Sequence, residues 1–392
     1  MSELAKKSYQ ICTRCVMDTS DEKIIFDDKG VCNHCHRYDQ VVKPLILKPE
    51  DRGKNLELLV KQIKVAGEGR LYDCLIGISG GLDSSYVAYL AWKHGLKALL
   101  VHFDNGWDSE LAVKNIENIV TKTGFDYYNY IVDWDEFKDL QLAYFKASVV
   151  DVEVPTDQGI CNLIPKLVSK FDVKYNLFGI NYETESTMGK NWNFPLKMDR
   201  GNLEAIHRKF GTKPLKTFPY LSPLEEFLYQ RRKVNFVNIL QYAECDYGFI
   251  RDKLSTQFGW KDYGVKHGES IFTKFYQSYY LPRKFGFDKR RAHLSDQINS
   301  GHITRTNALV QLTEAVYASE LEEKNDLLYV CNKLGLSTSD MTRLIEEPGV
   351  SHEHYGIGIA YGSLFDKAFK RFVNVIRKYK SYWSQKTVKN MM

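Results

Sequence analysis

Leu71-Tyr72-Asp73-Cys74-Leu75-Ile76-Gly77-Ile78 runs without a break into Ser79-Gly80-Gly81-Leu82-Asp83-Ser84-Ser85. The first part of this stretch reads as a buried strand, and Ser84 to His94 reads as a helix ended by Gly95. Two consecutive glycines at the junction let the backbone close on an anion, and the turn amides and helix N-terminus point at negative charge. The hydroxyls of Ser79, Ser84 and Ser85 add donors. A Walker loop needs a lysine after its glycines and none follows here, so γ-phosphate chemistry is not implied. The dinucleotide pattern Gly-x-Gly-x-x-Gly is absent as well.

Outward from this junction, β and α signals alternate from Leu71 to about Asn181. Leu96 to Phe103 reads as a second strand, Ser109 to Thr123 as a helix closed by Gly124, and Tyr127 to Val132 as a third strand. Helices around Phe137 to Ala147 and Asn162 to Phe171 precede a strand at Tyr175 to Ile180. Such alternation predicts an α/β fold, a parallel sheet with helices on both faces, whose ligands sit at the carboxyl ends of the strands. Upstream, a helix-like run covers Leu56 to Val65. Strand signals fade after about Leu221, and helices are expected at Leu224–Tyr242, Ile271–Tyr279, Asp288–Ser300, Arg305–Ser319, Glu320–Leu334 and Phe365–Trp383. The expected organisation is therefore a cysteine-bearing module and linker at 1–55, an α/β domain at 56–220 and a mainly helical region at 221–392.

Four of the eight cysteines form two Cys-x2-Cys pairs, Cys12 with Cys15 and Cys32 with Cys35, with sixteen residues between the pairs. That spacing fits a four-thiolate zinc ribbon, a closed structural site that folds a module with little core of its own. An iron–sulfur cluster is the main rival, and His34 and His36 are read as surface residues or as neighbours of the ligands. The chain has 392 residues, 44% hydrophobic and 26% charged, with a net charge of +5. This is ordinary globular composition, suited to an anionic ligand such as a nucleotide and less basic than an obligate nucleic-acid binder. No apolar stretch is long enough to cross a bilayer and the polar N-terminus has no signal-like segment, so a cytoplasmic protein without membrane association is expected.

The loop Ser79-Gly80-Gly81-Leu82-Asp83-Ser84 resembles the Ser-Gly-Gly-x-Asp-Ser signature of the PP-loop ATP pyrophosphatase superfamily, also described as adenine nucleotide alpha hydrolase-like. The resemblance implies cleavage of ATP between the α- and β-phosphates, with Ser79, Gly80, Gly81, Asp83, Ser84 and Ser85 around the departing pyrophosphate, Mg²⁺ as a stabiliser, and Phe103-Asp104-Asn105-Gly106 flanking the adenosine. With CTRCVMDTSD and CNHC upstream, GISGGLDSSY, VHFDNGWDSELAVKNI, and KHGESIFTKFYQSYYLPRKFGFDKRRAHLSDQINSG late in the chain, the sequence is similar over nearly its whole length to the N-acetyl sugar amidotransferase family. That resemblance implies adenylylation of an acetamido oxygen on a nucleotide-linked sugar and attack by ammonia to give an acetamidino group, in bacterial surface polysaccharide (O-antigen, lipopolysaccharide) or sialic-acid-like sugar synthesis. Asp83, Ser84 and Glu183 are the expected catalytic residues; Glu183 or Glu185, after the strand at Tyr175, would hold Mg²⁺ or orient ammonia.

No glutaminase elbow is visible. Cys12 is inside the zinc pattern, and Cys161 in Gly159-Ile160-Cys161-Asn162 lacks the flanking glycines. Ammonia is thus expected from a partner, in this family a glutaminase pair resembling the subunits of imidazole glycerol phosphate synthase. The basic, aromatic late segment supplies Lys266, His267, Arg283, Lys284, Arg290 and Arg291 as candidate contacts for a nucleotide-sugar diphosphate. Two readings stay beside this one: a PP-loop tRNA-modifying enzyme of the thiolase or lysidine synthetase type, and a zinc-ribbon scaffold whose loop is inactive.

Overall fold

The computed structural model describes residues 8–357 apart from 244–245 and 265–267. Strands β1 (Cys74–Gly77), β2 (Ala98–Asp104), β3 (Asp126–Ile131), β4 (Tyr175–Phe178) and β5 (Asn235–Asn238) form one parallel sheet in the order β3-β2-β1-β4-β5. Helices cover both faces, which is why β1 and β2 read as continuous apolar runs, while the edge strand β3 exposes alternate residues. The chain steps from β1 outward to β3 and then returns to the other side of β1 at β4. The switch point, where ligands bind in such sheets, therefore lies at the carboxyl ends of β1 and β4.

In chain order the helices are α1 (Asn33–Arg37), α2 (Pro49–Ala66), α3 (Leu82–Lys93), α4 (Glu110–Thr123), α5 (Trp134–Lys146), α6 (Val154–Phe171), α7 (Arg200–Phe210), α8 (Pro223–Arg231), α9 (Tyr247–Phe258), α10 (Ile271–Phe275), α11 (Leu281–Phe285), α12 (Arg290–Ser300), α13 (Arg305–Thr313), α14 (Glu320–Leu334) and α15 (Thr338–Glu346). One core unites Leu59 and Ile63 of α2, Val87 of α3, Ile119 of α4 and Leu254 of α9 with Ile76, Leu100 and Leu177 of the sheet. Across the sheet, Leu75, Leu99 and Phe103 meet Phe137 and Leu140 of α5, Leu163 of α6, Ile206 of α7, Phe275 of α10 and Val330 of α14. The four paired cysteines belong to this second core. Among the described residues no helix is long and apolar enough to cross a membrane.

The expected fold class is what the structure has, and the predicted strands and helices of residues 71–180 are all present. Three expectations change in detail. The helix predicted over Leu224–Tyr242 is α8 followed by β5, so the sheet continues past residue 220. Asn-Phe-Val-Asn is too short and too polar to announce a strand; pairing with β4 through Asn238 makes it one, with Asn235 N–H donating at 2.9 Å to Lys174 O just before β4. Helix α13 stops at Thr313 rather than Ser319, where the Arg290 guanidinium takes the carbonyls of Gln311 (3.1 Å) and Glu314 (3.0 Å). Helix α6 starts earlier than expected, at Val154, with Pro155 in its first turn. The helix expected at Phe365–Trp383 lies outside the described residues.

Candidate functional site

Gly80 has φ of +77°, a conformation that costs an L-residue about 1–2 kcal/mol and glycine nothing. A Cβ there would also stand 2.6 Å from Ala112 O of α4. The carbonyl of Gly80 points the other way and is held by Trp260 Nε1–H at 2.9 Å and by the Tyr263 hydroxyl, which in turn accepts from Asn115 Nδ2 at 3.0 Å. Inside the turn, Ser84 Oγ lies 3.1 Å from Ser79 Oγ and accepts Ser79 N–H at 3.2 Å, and Ser79 Oγ accepts Gly81 N–H at 3.3 Å. Helix α3 follows at once with Gly81 as its N-cap and no side-chain cap, whereas α4, α5, α7 and α8 are capped by Ser109, Asp133, Asp199 and Ser222. The first amides of α3 are thus left for an anion.

Asp83 occupies the first turn of α3, and the carboxyl of Glu269 comes within 3.0 Å of the place a Cβ on Gly81 would take. Two carboxylates beside an anion site are a fitting pair of oxygen donors for Mg²⁺. Ser85 is completely buried and its hydroxyl has no hydrogen-bond partner among the described residues, so it lies beneath the loop rather than facing a ligand. Phe103 faces the second core against Tyr130 and Phe137, with Gly159 of α6 against its ring, and does not flank an open adenosine site as expected; in-out alternation along β2 turns it inward. Asp104 caps its own turn, accepting Gly106 N–H at 2.9 Å.

The sequence reading missed His102. On β2 beside the loop, its Nδ1 lies 2.7 Å from Ile78 O and its Nε2 lies 2.9 Å from Asp108 Oδ2. Acceptors at both ring nitrogens call for a proton on each; burial opposes that charge, but Asp108 outweighs it and raises the histidine above its ordinary value. The pair ties β2 and the loop after it to Ile78, the residue that leads into Ser79. No spacing rule marks it, since the pairing depends on β2 lying next to β1.

The four cysteine sulfurs converge. Cys12 Sγ is 3.9 Å from Cys35 Sγ, Cys15 Sγ is 3.6 Å from Cys32 Sγ, and Cys32 Sγ is 3.8 Å from Cys35 Sγ. Thiolates bound to one zinc at about 2.3 Å stand about 3.8 Å apart. The set fits a single ion, and a multi-iron cluster would spread the sulfurs wider. Backbone N–H groups of Arg14, Cys15 and Cys32 point at Cys12 Sγ, as thiolate charge requires. His34 is taken by Asp21 at 2.7 Å and His36 by Asp27 at 2.9 Å, so neither joins the sulfurs. The module is bolted to the C-terminal helices: Arg305 of α13 donates to Cys12 O and Cys15 O at 2.9–3.1 Å, and Ser295 of α12 accepts Val16 N–H at 3.2 Å.

Glu183, expected to be catalytic, is instead saturated. Arg52 of α2 pairs with its Oε1, His302 with its Oε2 at 2.6 Å, and Ser300 with its carbonyl at 3.0 Å. Burial pushes this carboxyl up, but His302 and Arg52 outweigh that and hold it below the usual range, while the hydrogen bond to Glu183 raises His302. A depressed carboxyl stabilises the fold above its unfolded value and loses that contribution as pH falls through the folded value. A raised histidine contributes at low pH and loses its share as pH rises through its own folded value. The triad is therefore strongest between those two limits. Glu183→Gln, which strands the half-buried Arg52 charge, is expected to cost about 3–5 kcal/mol in chemical denaturation and to flatten the pH dependence in that window; an unchanged midpoint would contradict the triad's structural role.

The basic residues expected to meet a sugar diphosphate are also engaged elsewhere. Arg283 pairs with Glu323 at 2.6 Å and lies over the Tyr279 ring; Lys284 caps α15 through Leu344 O and Glu347 O at 2.5 and 2.6 Å; Arg290 binds Asp288 and the end of α13; Arg291 binds Asp18 and Val16 O. Helix ends and acids thus engage these cations within the fold. Lys266 and His267 lie outside the described residues.

The family model described as "LPS biosynthesis protein WbpG-like, C-terminal domain" matches residues 269–389. The C-terminal third is WbpG-like. The match agrees with the family resemblance that the sequence carries: the parallel sheet is followed by a C-terminal segment similar to that of lipopolysaccharide biosynthesis proteins. Among solved structures, an NH3-dependent NAD synthetase from Campylobacter jejuni is similar at 13% identity and a TM-score of 0.28, over 47% of this chain and 93% of that one. An NMN synthetase from Francisella tularensis is similar at 13% identity and a TM-score of 0.28, over 54% and 94%. At these scores neither adds to what the sheet order shows directly. No curated protein matches the chain.

Proposed function

We propose that the chain is an ATP-dependent amidotransferase of lipopolysaccharide or related surface-sugar synthesis, converting the acetamido group of a nucleotide-linked sugar to an acetamidino group with release of AMP and pyrophosphate. The observation that carries it is the uncapped start of α3 behind Gly80 and Gly81. Amides at a helix start stabilise a departing pyrophosphate, and water exclusion strengthens them. Asp83 and Glu269 would hold Mg²⁺, which supplies charge neutralisation at the phosphates. The acceptor oxygen attacks the α-phosphorus, the bond to pyrophosphate breaks, and ammonia then adds to the activated carbon before AMP leaves.

Two further observations fit. Burial pushes the Cys161 thiol up to about 12, which makes it a poor nucleophile; ammonia is accordingly assigned to a separate glutaminase pair of the imidazole glycerol phosphate synthase type. The four paired cysteines hold Zn²⁺ as a structural ion. Purified protein with ATP, Mg²⁺, an ammonium salt and a panel of nucleotide-activated N-acetyl sugars is expected to give AMP, pyrophosphate and one sugar lightened by the exchange of O for NH. Unchanged sugars together with tRNA-stimulated pyrophosphate release would replace this reading with the RNA-modifying one.

A further inference from the structure

The stretch between α9 and α10 lies against the nucleotide loop and has no part in the reaction as described so far. At one end Asn118 of α4 donates to Gly259 O at 3.3 Å. Asn115 of α4 makes two bonds with Lys261, accepting its N–H at Oδ1 (2.9 Å) and donating from Nδ2 to its carbonyl (2.9 Å). At the other end Ser109 N–H donates to Glu269 O at 2.8 Å and Ile271 N–H to Trp107 O at 3.0 Å. Between these ties Trp260 and Tyr263 bring two donors to one acceptor, the carbonyl of Gly80, from which Trp260 Nε1 lies 2.9 Å. The two rings meet edge to face with centroids 5.8 Å apart, and Trp260 and Asn115 are buried.

Every proton in this set has one assignment. A backbone N–H can only donate, so the Asn115 atom facing Lys261 N is the oxygen, and Nδ2 faces the Tyr263 hydroxyl at 3.0 Å. An amide nitrogen also only donates, so the Tyr263 oxygen accepts there and spends its single proton on Gly80 O. Burial pushes the phenol up, with Glu269, Asp108 and Asp262 adding to the rise against the Asn115 bond, so the donor is kept at neutral pH. With Trp260 on its second lone pair, Gly80 O is fully used.

A peptide unit is planar and trans, so its C=O and N–H point in opposite directions. Holding Gly80 O on the side of Trp260 and Tyr263 therefore turns Gly81 N–H into the loop, where Ser79 Oγ accepts it at 3.3 Å. Glycine on both sides makes this peptide easy to flip, since a flip changes only ψ of Gly80 and φ of Gly81, and glycine tolerates either sign. The flipped peptide would aim a carbonyl at the anion in place of an amide. We infer that Trp260 and Tyr263, with Asn115 behind them, are positioning residues that exclude this flip and keep Gly81 N–H for the pyrophosphate end of ATP. The inference rests on the loop's role in the proposed function. The two donors also polarise the peptide and make Gly81 N–H a stronger donor.

Affinities of the full-length protein for Mg·ATP and for AMP separate positioning from support of the fold, because only ATP carries phosphates beyond the first. Tyr263→Phe and Trp260→Phe each keep an aromatic ring in place and remove one donor. Each is expected to weaken ATP binding about 10-fold, and the double variant more, with AMP binding unchanged. Asn118→Ala, which cuts a tie of the same stretch to α4 without touching Gly80, is expected to leave the ratio of the two affinities unmoved; thermal midpoints record folding in all the variants. Unchanged ATP affinity in the folded double variant, equal losses for ATP and AMP, or the same shift of the ratio in Asn118→Ala overturns the inference. An unmodified protein that binds ATP no more tightly than AMP removes the loop as a pyrophosphate site and the inference with it. Failure to form an amidine from any sugar would overturn the proposed reaction but moves neither affinity.

Discussion

Gly80→Ala is expected to reduce AMP formation by about 100-fold or more, the loss associated with misplacing one donor to a charged transition state. Two effects combine. The φ of +77° disfavours any L-residue, and the new methyl would meet Ala112 O at 2.6 Å. That oxygen is backbone in the first turn of α4, a helix fixed at its start by Ser109, which accepts Ala112 N–H at 3.1 Å. The loop cannot easily swing away either, because Trp260 and Tyr263 grip the Gly80 carbonyl. What must yield is the aim of the following amides, Gly81 through Ser84, at the pyrophosphate. Steady-state AMP release, with thermal midpoint and ATP affinity measured alongside, checks it. Near-normal turnover in a folded Gly80→Ala protein would remove the loop from the chemistry.

Cys32→Ser is expected to abolish metal binding and to loosen the whole side of the molecule that carries the cysteine module. Cys32 Sγ is within 3.6–3.8 Å of two other sulfurs, and its backbone amide donates to Cys12 Sγ at 3.2 Å. Structural zinc binding contributes on the order of 10 kcal/mol to folding a small module. Without it, Arg305 loses the ordered Cys12 and Cys15 carbonyls, and Arg291 loses Val16 O. The expected readouts are a fall from one bound zinc per chain to none, a lower denaturation midpoint, and faster proteolysis between residues 8 and 42. Chelation of the unmodified protein should reproduce all three. Full stability without bound metal would contradict the structural role.

The sheet and the loop were legible because local signals and tertiary demands coincide there. The apolar runs of β1 and β2, the Ser109 cap with Gly124 closing α4, and the paired glycines each carry a pattern that short-range rules read. The four-cysteine set was legible for the same reason, since metal geometry fixes ligand spacing. Strand β5 was not, because its pairing to β4 supplies what its sequence lacks. The basic late segment misled for a different reason: composition reports a cation but not its partner. Arg290 and Lys284 close helix ends, and Arg283 and Arg291 meet acids far away in sequence. Glu183 lies at the carboxyl end of β4, where ligands bind, yet Arg52 and His302 arrive from opposite ends of the chain to neutralise it.

Transfer of acceptor oxygen to AMP tests the central claim most directly. With heavy oxygen placed in the acetamido carbonyl of the accepted sugar, the phosphorus NMR signal and mass of the released AMP are predicted to carry the label, one atom per amidine formed. Unlabelled AMP, or cleavage to ADP and phosphate, would contradict activation of the acceptor by adenylylation at the Ser79–Ser84 loop.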